Sequence, residues 1–288
     1  MLRSVLLAGL ALALLPMAVH AAESYDNCAG TVTSLPATIS TAGVWCMKSD
    51  LTTSMTSGMA ITITSNNVTL DCNDFRLGGL GAGANTGTTG IAVMEKSNVT
   101  VRNCSVRGFL NGLYLGGSSN VVEDSRFEAN TRIGVYVSGY DFIVRRNSIA
   151  HTGGTPSYSD TYGVLAFGAT GVIEDNFISE VAGSTQAFAW ARGTGIHAGS
   201  DYTVLRLNDV SGIVSGSDSP AVGIVAGGAK GKLLDNTVSA LSSVTGQRRG
   251  LSCTADPTSV AIRNTVSDAS SLSAAFYACT DGGGNVSH

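Results

Sequence analysis

Charge is scarce in this chain: Asp, Glu, Lys and Arg make up 13% of its 288 residues, about half the usual share. The 17 basic residues are outnumbered by 21 acidic ones. That balance excludes a nucleic-acid partner, since phosphate binding needs a concentrated basic stripe. Aromatic residues are 6%, with two Trp, and there are only four His. With no CxxC pair and no histidine beside a cysteine, a metal site is not expected. Long hydrophobic runs are also missing. The apolar stretch over residues 4–15 is too short to cross a bilayer. Arg3 before it and Val19-His20-Ala21 after it mark residues 1–21 as a cleaved signal peptide. The mature chain is therefore expected to be exported, to the periplasm or the cell exterior, with no transmembrane segment. Its 16 basic and 21 acidic residues leave it mildly acidic. An apolar share of 43%, evenly spread, excludes disorder.

Glycine, by contrast, is plentiful, and it is placed with a period. Gly90, Gly112, Gly134, Gly163, Gly195, Gly223 and Gly250 each introduce a short apolar strand. About thirteen residues later follows an apolar residue, two variable ones, usually Asn, one variable residue and another apolar one. The first apolar row reads Leu70, Val101, Val122, Val144, Ile173, Leu205, Leu233 and Ala261. The second reads Phe75, Val106, Phe127, Ile149, Ile178, Val210, Val238 and Val266. A period of 21 to 32 residues with β-branched pairs and glycine turns predicts an all-β parallel β-helix solenoid. About eight coils are expected over residues 60–288, with a partial last strand at Phe276. Residues 22–59 do not fit the repeat and are expected to cap the open first coil, Trp45 and Leu51 packing onto it.

Three further rows follow the period. The Asn position, occupied by Asn73, Cys104, Ser125, Asn147, Asn176, Asn208, Asn236 and Asn264, predicts an asparagine ladder at a bend. Cys104 and Ser125 are expected to interrupt it. Two places earlier, Asp71, Arg102, Glu123, Arg145, Glu174 and Arg206 alternate in sign, a pattern expected of stacked opposite charges on an outer face. The six cysteines are an even number, consistent with an oxidising compartment. Cys253 and Cys279 occupy one strand position in successive coils, about 4.8 Å apart, and are expected to pair. Cys28 is paired with Cys46 around the N-terminal segment, and Cys72 with Cys104 by elimination.

With the period, the Asn row and strings such as NNVTLDCNDFRL and SNVTVRNCSVRGF, the chain resembles the right-handed parallel β-helix proteins of the pectate-lyase-like superfamily. The resemblance covers residues 60–279. It implies a right-handed solenoid and, by analogy, a polysaccharide held along one outer strand ladder bordered by long loops. The family's catalytic strings are not matched: Trp45 and Trp190 lie in WCMKSD and WARGTG, and the one glycine-flanked histidine string is GIHAG around His197.

Two insertions, residues 151–162 and 180–194, border the first strand ladder. Outward residues of that ladder are expected to be Thr62, Ala92, Tyr114, Tyr136, Leu165, His197, Val225 and Ser252. Aromatic faces stack on sugar rings, and His with Asp or Arg can move a proton or hold a carboxylate. The candidate substrate-binding residues are Tyr114, Tyr136, His151, Tyr158 and Trp190. If the protein is an enzyme of lyase, hydrolase or epimerase type, His197 is the candidate acid or base, Arg192 the carboxylate binder and Asp160 the orienting group or metal ligand. No cofactor is evident, and calcium lacks a supporting acidic cluster. The expected partner is a polysaccharide, acidic by preference; the competing expectation is a non-catalytic adhesive or structural solenoid.

Overall fold

The computed structural model describes residues 27–184, 190–217, 219–253 and 258–288. The signal peptide expected over residues 1–21 lies outside them. Almost every strand is parallel to its neighbours, and the strands form three long sheets. The first sheet has ten strands, from Ala37–Ile39 through Asn111–Ser118, Ile133–Tyr140, Thr161–Ala169 and Gly193–Ala198 to Arg248–Ser252 and Phe276–Tyr277. The second runs from Gly30–Val32 to Thr280–Asp281, and the third from Leu51–Thr52 to Val286–Ser287. Each coil of chain visits the three sheets in turn. Ten first-sheet strands at the usual inter-strand spacing make a stack about 43 Å long.

The apolar rows line the interior because alternation sends every second strand residue inward. Ile91, Leu113, Val135, Val164, Ile196, Ile224 and Leu251 are completely buried in the first sheet, as are Leu70, Val101, Val122, Val144, Ile173, Leu205, Leu233 and Ala261 in the second. The glycine row needs no unusual dihedral; it needs space. A Cβ on Gly163 would lie 2.6 Å from both the Gly195 carbonyl oxygen and Ile178 Cγ2, so backbone and core press on the same point.

Several expectations are corrected here. The stack begins before Ala60: Ala37–Ile39, Gly43–Met47 and Leu51–Thr52 pair in parallel register with Ser57–Ile63, Val68–Asp71 and Arg76–Gly78. Most of the segment assigned as a cap is thus a coil of its own, hidden because it lacks the introducing glycine and the Asn. Trp45 is part of that coil, its ring against Gly30. The last residues likewise make a tenth coil, not only a partial strand. Second, Asn73 does not stand in the Asn row. Asn73 and Asp74 are both in the left-handed region, φ 49° and 62°, so the corner holds two extra residues. Leu77, not Phe75, therefore faces Val106 in the core row.

The remaining asparagines bond as a continuous column. Asn147, Asn176, Asn208, Asn236 and Asn264 each donate from Nδ2 to the Oδ1 of the next, ending on Asn285, at 2.9–3.1 Å. Ser125 does not break this column, because a hydroxyl accepts as an amide oxygen does: the Cys104 N–H donates to Ser125 Oγ, and the Ser125 N–H to Asn147 Oδ1. The alternating charges form pairs, Arg102 with Asp71, Arg145 with Glu123 and Arg206 with Glu174, at 2.6–2.8 Å. All three expected disulfides are present, Cys28–Cys46, Cys72–Cys104 and Cys253–Cys279, with Cα separations of 5.8, 4.7 and 4.9 Å.

Candidate functional site

Strand register places Thr62, Ala92, Tyr114, Tyr136, Leu165, His197, Val225 and Ser252 side by side on the first sheet, each paired with the next, and Tyr277 extends the row. An aromatic seam runs over the middle of this face. Tyr114 and Tyr136 meet edge to face with ring centroids 5.3 Å apart. Phe167 continues the seam at 6.4 Å from Tyr136 and 5.9 Å from His197. Tyr162 closes on His197 from the other side at 5.8 Å. Leu165, between Tyr136 and His197 in this row, is buried although it points away from the core.

The loop before Thr161 delivers charge to one edge of the seam. Asp160 accepts a hydrogen bond from the Arg192 backbone N–H at 3.2 Å and one from the Tyr162 hydroxyl at 3.4 Å. The Arg132 guanidinium lies over the Tyr158 ring, 3.8 Å from its centroid. The Nε atoms of Arg132 and Arg192 are buried without a hydrogen-bond partner, as is Nδ1 of His197. Burial holds His197 below the ordinary histidine pKa; the Arg192 charge adds to this and Asp160 opposes it. Burial pushes the Tyr162 hydroxyl up, with the Asp160 charge adding to it. His197 is therefore neutral at pH 7, with one nitrogen buried. The other, Nε2, lies beside Gly199 and Gly227: a Cβ at either would come within 3.5 or 3.7 Å of it. The missing side chain of Gly199 makes room for the Phe167 ring, whose Cε1 and Cδ1 would lie 2.7 and 2.8 Å from a Cβ there.

Asp160, Tyr158, Arg192, His197, Tyr114 and Tyr136 thus share one face and its edge, as the spacing predicts. His151 does not join them. It sits in the third-sheet strand Ser148–Gly153, 63% exposed, with Nε2 2.7 Å from Glu180 across a groove of about 410 Å³. The register explains this: the insertion holding the other loop residues begins after His151, not at it. Trp190 is 64% exposed in a two-residue strand antiparallel to Val214–Ser217, and does not lean on the solenoid. Tyr162 comes with the insertion that the spacing places beside this ladder, whereas Arg132, Phe167, Gly199 and Gly227 are members the candidate set omits. Phe167 was within reach, since it stands two residues beyond Leu165 on the same strand and so on the same face. Arg132 and the glycines carry no signal without the register.

A larger groove, about 680 Å³, lies at the corner between the second and third sheets, lined by Asp74, Asp124, Arg126 and Arg146 among others. In it Arg146 holds Asp124 through two hydrogen bonds of 2.8 and 2.7 Å, and Arg126 lies 3.6 Å from Glu128. That pairing keeps the Asp124 carboxyl below its ordinary pKa. The first-sheet face, with guanidinium nitrogens left unpaired, has the stronger demand for a ligand. Among the described residues no three His, Cys, Asp or Glu side chains converge as a metal-binding group, and no helix is long and apolar enough to cross a membrane.

Residues 37–178 match the family model described as the right handed beta helix region. Compared with curated proteins by sequence, the chain finds no match. Among solved structures it resembles the enzymatically active domain of bacteriophage CBA120 tailspike protein 2, with a TM-score of 0.50 and 14% identity over 80% of this chain and 38% of that one. The Dettilon tailspike protein aligns with a TM-score of 0.49 and 13% identity over 89% and 59% of the two chains. Pectate lyase Pel9A aligns with 0.48 and 13% over 84% and 70%. The chain spans well under two thirds of either tailspike's length. At such identity the likeness is one of fold alone; the parallel sheets make the chain a parallel β-helix solenoid, and residues 37–178 of it match the right handed beta helix region.

Proposed function

We propose that this is an exported protein that binds an acidic polysaccharide along the outer face of its first sheet, between the Tyr114–Tyr136–Phe167 seam and the Arg132, Asp160 and Arg192 edge. The observation that carries this reading is the pairing, in one place, of an aromatic floor with two guanidinium groups whose buried Nε atoms lack partners. Aromatic faces take the apolar sides of sugar rings, and guanidinium groups take carboxylate or sulfate in bidentate geometry. Residues 1–21 and three disulfides support export.

The same geometry gives His197 a chemical role if the bound glycan is also cleaved or epimerised. With its proton on the buried Nδ1, the neutral ring keeps a lone pair on Nε2, the nitrogen nearer Gly199 and Gly227. A sugar C–H or hydroxyl held there by Arg192 can lose its proton to Nε2, and Tyr162 stands near enough to share the transfer. Depressing the histidine pKa weakens the base but keeps it unprotonated, which is the state proton abstraction requires.

A panel of acidic and neutral polysaccharides tests the reading. Selective retention of acidic polymers, lost on Tyr136→Ala and Arg192→Gln with the unfolding midpoint preserved, is the expected result. Retention that survives both substitutions overturns this site, and retention lost with them but without turnover of any polymer points to a non-catalytic adhesive. No retention of any polymer by the unmodified protein points to a structural solenoid and sinks the proposal.

A further inference from the structure

A groove of about 510 Å³ lies on the outside of the third sheet, near the N-terminal end of the stack. Strand register builds it. Thr52 pairs with Gly78, Gly78 with Arg107 and Arg107 with Glu128, one outward column beside the buried row of Leu77, Val106 and Phe127. Arg76 stands in the next outward column, two places before Gly78 on its strand. Parallel spacing puts the Cα atoms of Arg76 and Arg107 about 8 Å apart, a diagonal that two long side chains easily close.

The glycines between them shape the floor and one wall. A Cβ on Gly78 would occupy the space between the two arginines and lie 3.2 Å from Thr52 Cγ2. Gly108, at φ 79°, lets Leu80 close in beside Arg107: a Cβ there would lie 2.5 Å from the Leu80 nitrogen and 2.8 Å from its Cγ and Cδ2. Leu80 is 53% exposed and lines the groove with Thr52 and Ser54.

The charge here is unlike that of the rest of the stack. Arg102, Arg145, Arg206 and Arg263 each hold a carboxylate of the neighbouring coil at 2.6–2.8 Å. Among the described residues no hydrogen bond or ion pair engages the Arg107 side chain, although its Nε is buried. Its register neighbour Glu128 lies 3.6 Å from Arg126 instead. Arg76 has only Asp50, which stands 4.0 Å from its Nη2 and accepts from the Arg76 backbone N–H at 2.8 Å. Two guanidinium groups therefore line a groove in which, among the described residues, no carboxylate takes part. A half-buried guanidinium nitrogen without a partner is a demand for an acceptor.

We propose that this groove binds a small phosphate monoester, its oxygens held by Arg76, Arg107 and the hydroxyls of Thr52 and Ser54, and its uncharged part laid against Leu80. Arg107 is uncompensated and Arg76 only partly so, which calls for more than one negative charge. A phosphate monoester brings about −1.5 to −2 at pH 7 and three acceptor oxygens, whereas a sulfate ester or a carboxylate brings one charge. Guanidinium forks match those oxygens in bidentate geometry. The site is independent of whatever occupies the first-sheet face.

Calorimetric titration at low salt with phenyl phosphate, phenyl sulfate and inorganic phosphate tests the proposal. The wild type should bind phenyl phosphate at one saturable site, more tightly than inorganic phosphate, which cannot use Leu80, and than phenyl sulfate. Arg107→Gln and Arg76→Gln should each weaken phenyl phosphate by at least about tenfold, with Arg107→Lys in between. Arg126→Gln, in the column of Arg76 but outside the groove, should bind as the wild type does. Absence of saturable binding, or equal binding by Arg107→Gln and the wild type, overturns the site. Equal loss in Arg126→Gln and Arg107→Gln overturns it in favour of diffuse surface charge. Phenyl sulfate bound as tightly as phenyl phosphate overturns the assignment of the ligand as a phosphate ester. Unfolding midpoints of the variants show whether each loss is one of binding, and Arg76→Gln decides if Arg107→Gln does not fold.

Discussion

His197 and Leu207 show how single residues carry this structure's sensitivity to conditions. Folded His197 resists protonation, while in the unfolded chain it titrates near 6.5. Below 6.5 the unfolded state therefore binds more protons, and stability falls as pH drops through the window between 6.5 and the lower folded value. Thermal unfolding followed from pH 7 to pH 5 should show a steeper loss for the wild type than for His197→Gln. Parallel curves would mean that the histidine is freely solvated. Leu207 poses the opposite problem. It is 57% exposed and held at φ 55°, a left-handed conformation that costs a branched side chain about 1–2 kcal/mol with no burial to offset it. Its counterparts at the same corner, Asp175 and Asp235, are of the residue type that tolerates this conformation. Leu207→Asn is expected to stabilise the protein by about 1 kcal/mol, read as a raised denaturation midpoint at unchanged m-value.

At the scale of the coil, stability lies in what is repeated. Asn208 Oδ1 accepts from both the backbone N–H and Nδ2 of Asn176, while its own Nδ2 donates to the Ile173 carbonyl and to Asn236. Asn208→Ala leaves several buried groups unpaired at once and should cost at least about 2–3 kcal/mol. Gly163→Ala, which drives a methyl onto the Gly195 carbonyl and Ile178, should cost about 1–3 kcal/mol. Equilibrium unfolding of each variant checks both values. These rows were legible in the sequence because a solenoid writes the same requirement once per coil. The period misplaces the Asn corner at Asn73, where two extra residues shift the phase, and misjudges Ser125, whose hydroxyl accepts in place of an amide oxygen. The first coil was missed because its contacts are made without the marker residues. The functional face was half legible: Tyr114, Tyr136 and His197 obey the period, and their adjacency follows from counting. Arg132 over Tyr158, or the room that Gly199 gives the Phe167 ring beside His197, belongs to loops and second columns that no period encodes.

The whole molecule behaves as a stack in which each coil touches only its neighbours, so damage at an end should stay there. Reducing the disulfides is expected to speed amide exchange in Phe276–Tyr277 and Val286–Ser287 before it affects the Asn147 to Asn236 coils. Uniform acceleration along the chain would show that the stack opens as one unit.

The corners of this stack are unequal. From the second-sheet core residue to the third-sheet one is five residues in coil after coil, Val101 to Val106, Ile173 to Ile178, Ala261 to Val266. From the third sheet back to the first-sheet face the count ranges from eight, Val106 to Tyr114, to nineteen, Ile178 to His197. From Val101 to Val266 one edge of the rod keeps a fixed gauge, and the other is free to vary. A short flexible tag inserted near Ser157 should therefore be accommodated, and the same tag after Asp175 should not. The freely editable edge is the one that borders the aromatic face, so what this rod holds can be altered loop by loop without renegotiating how it folds.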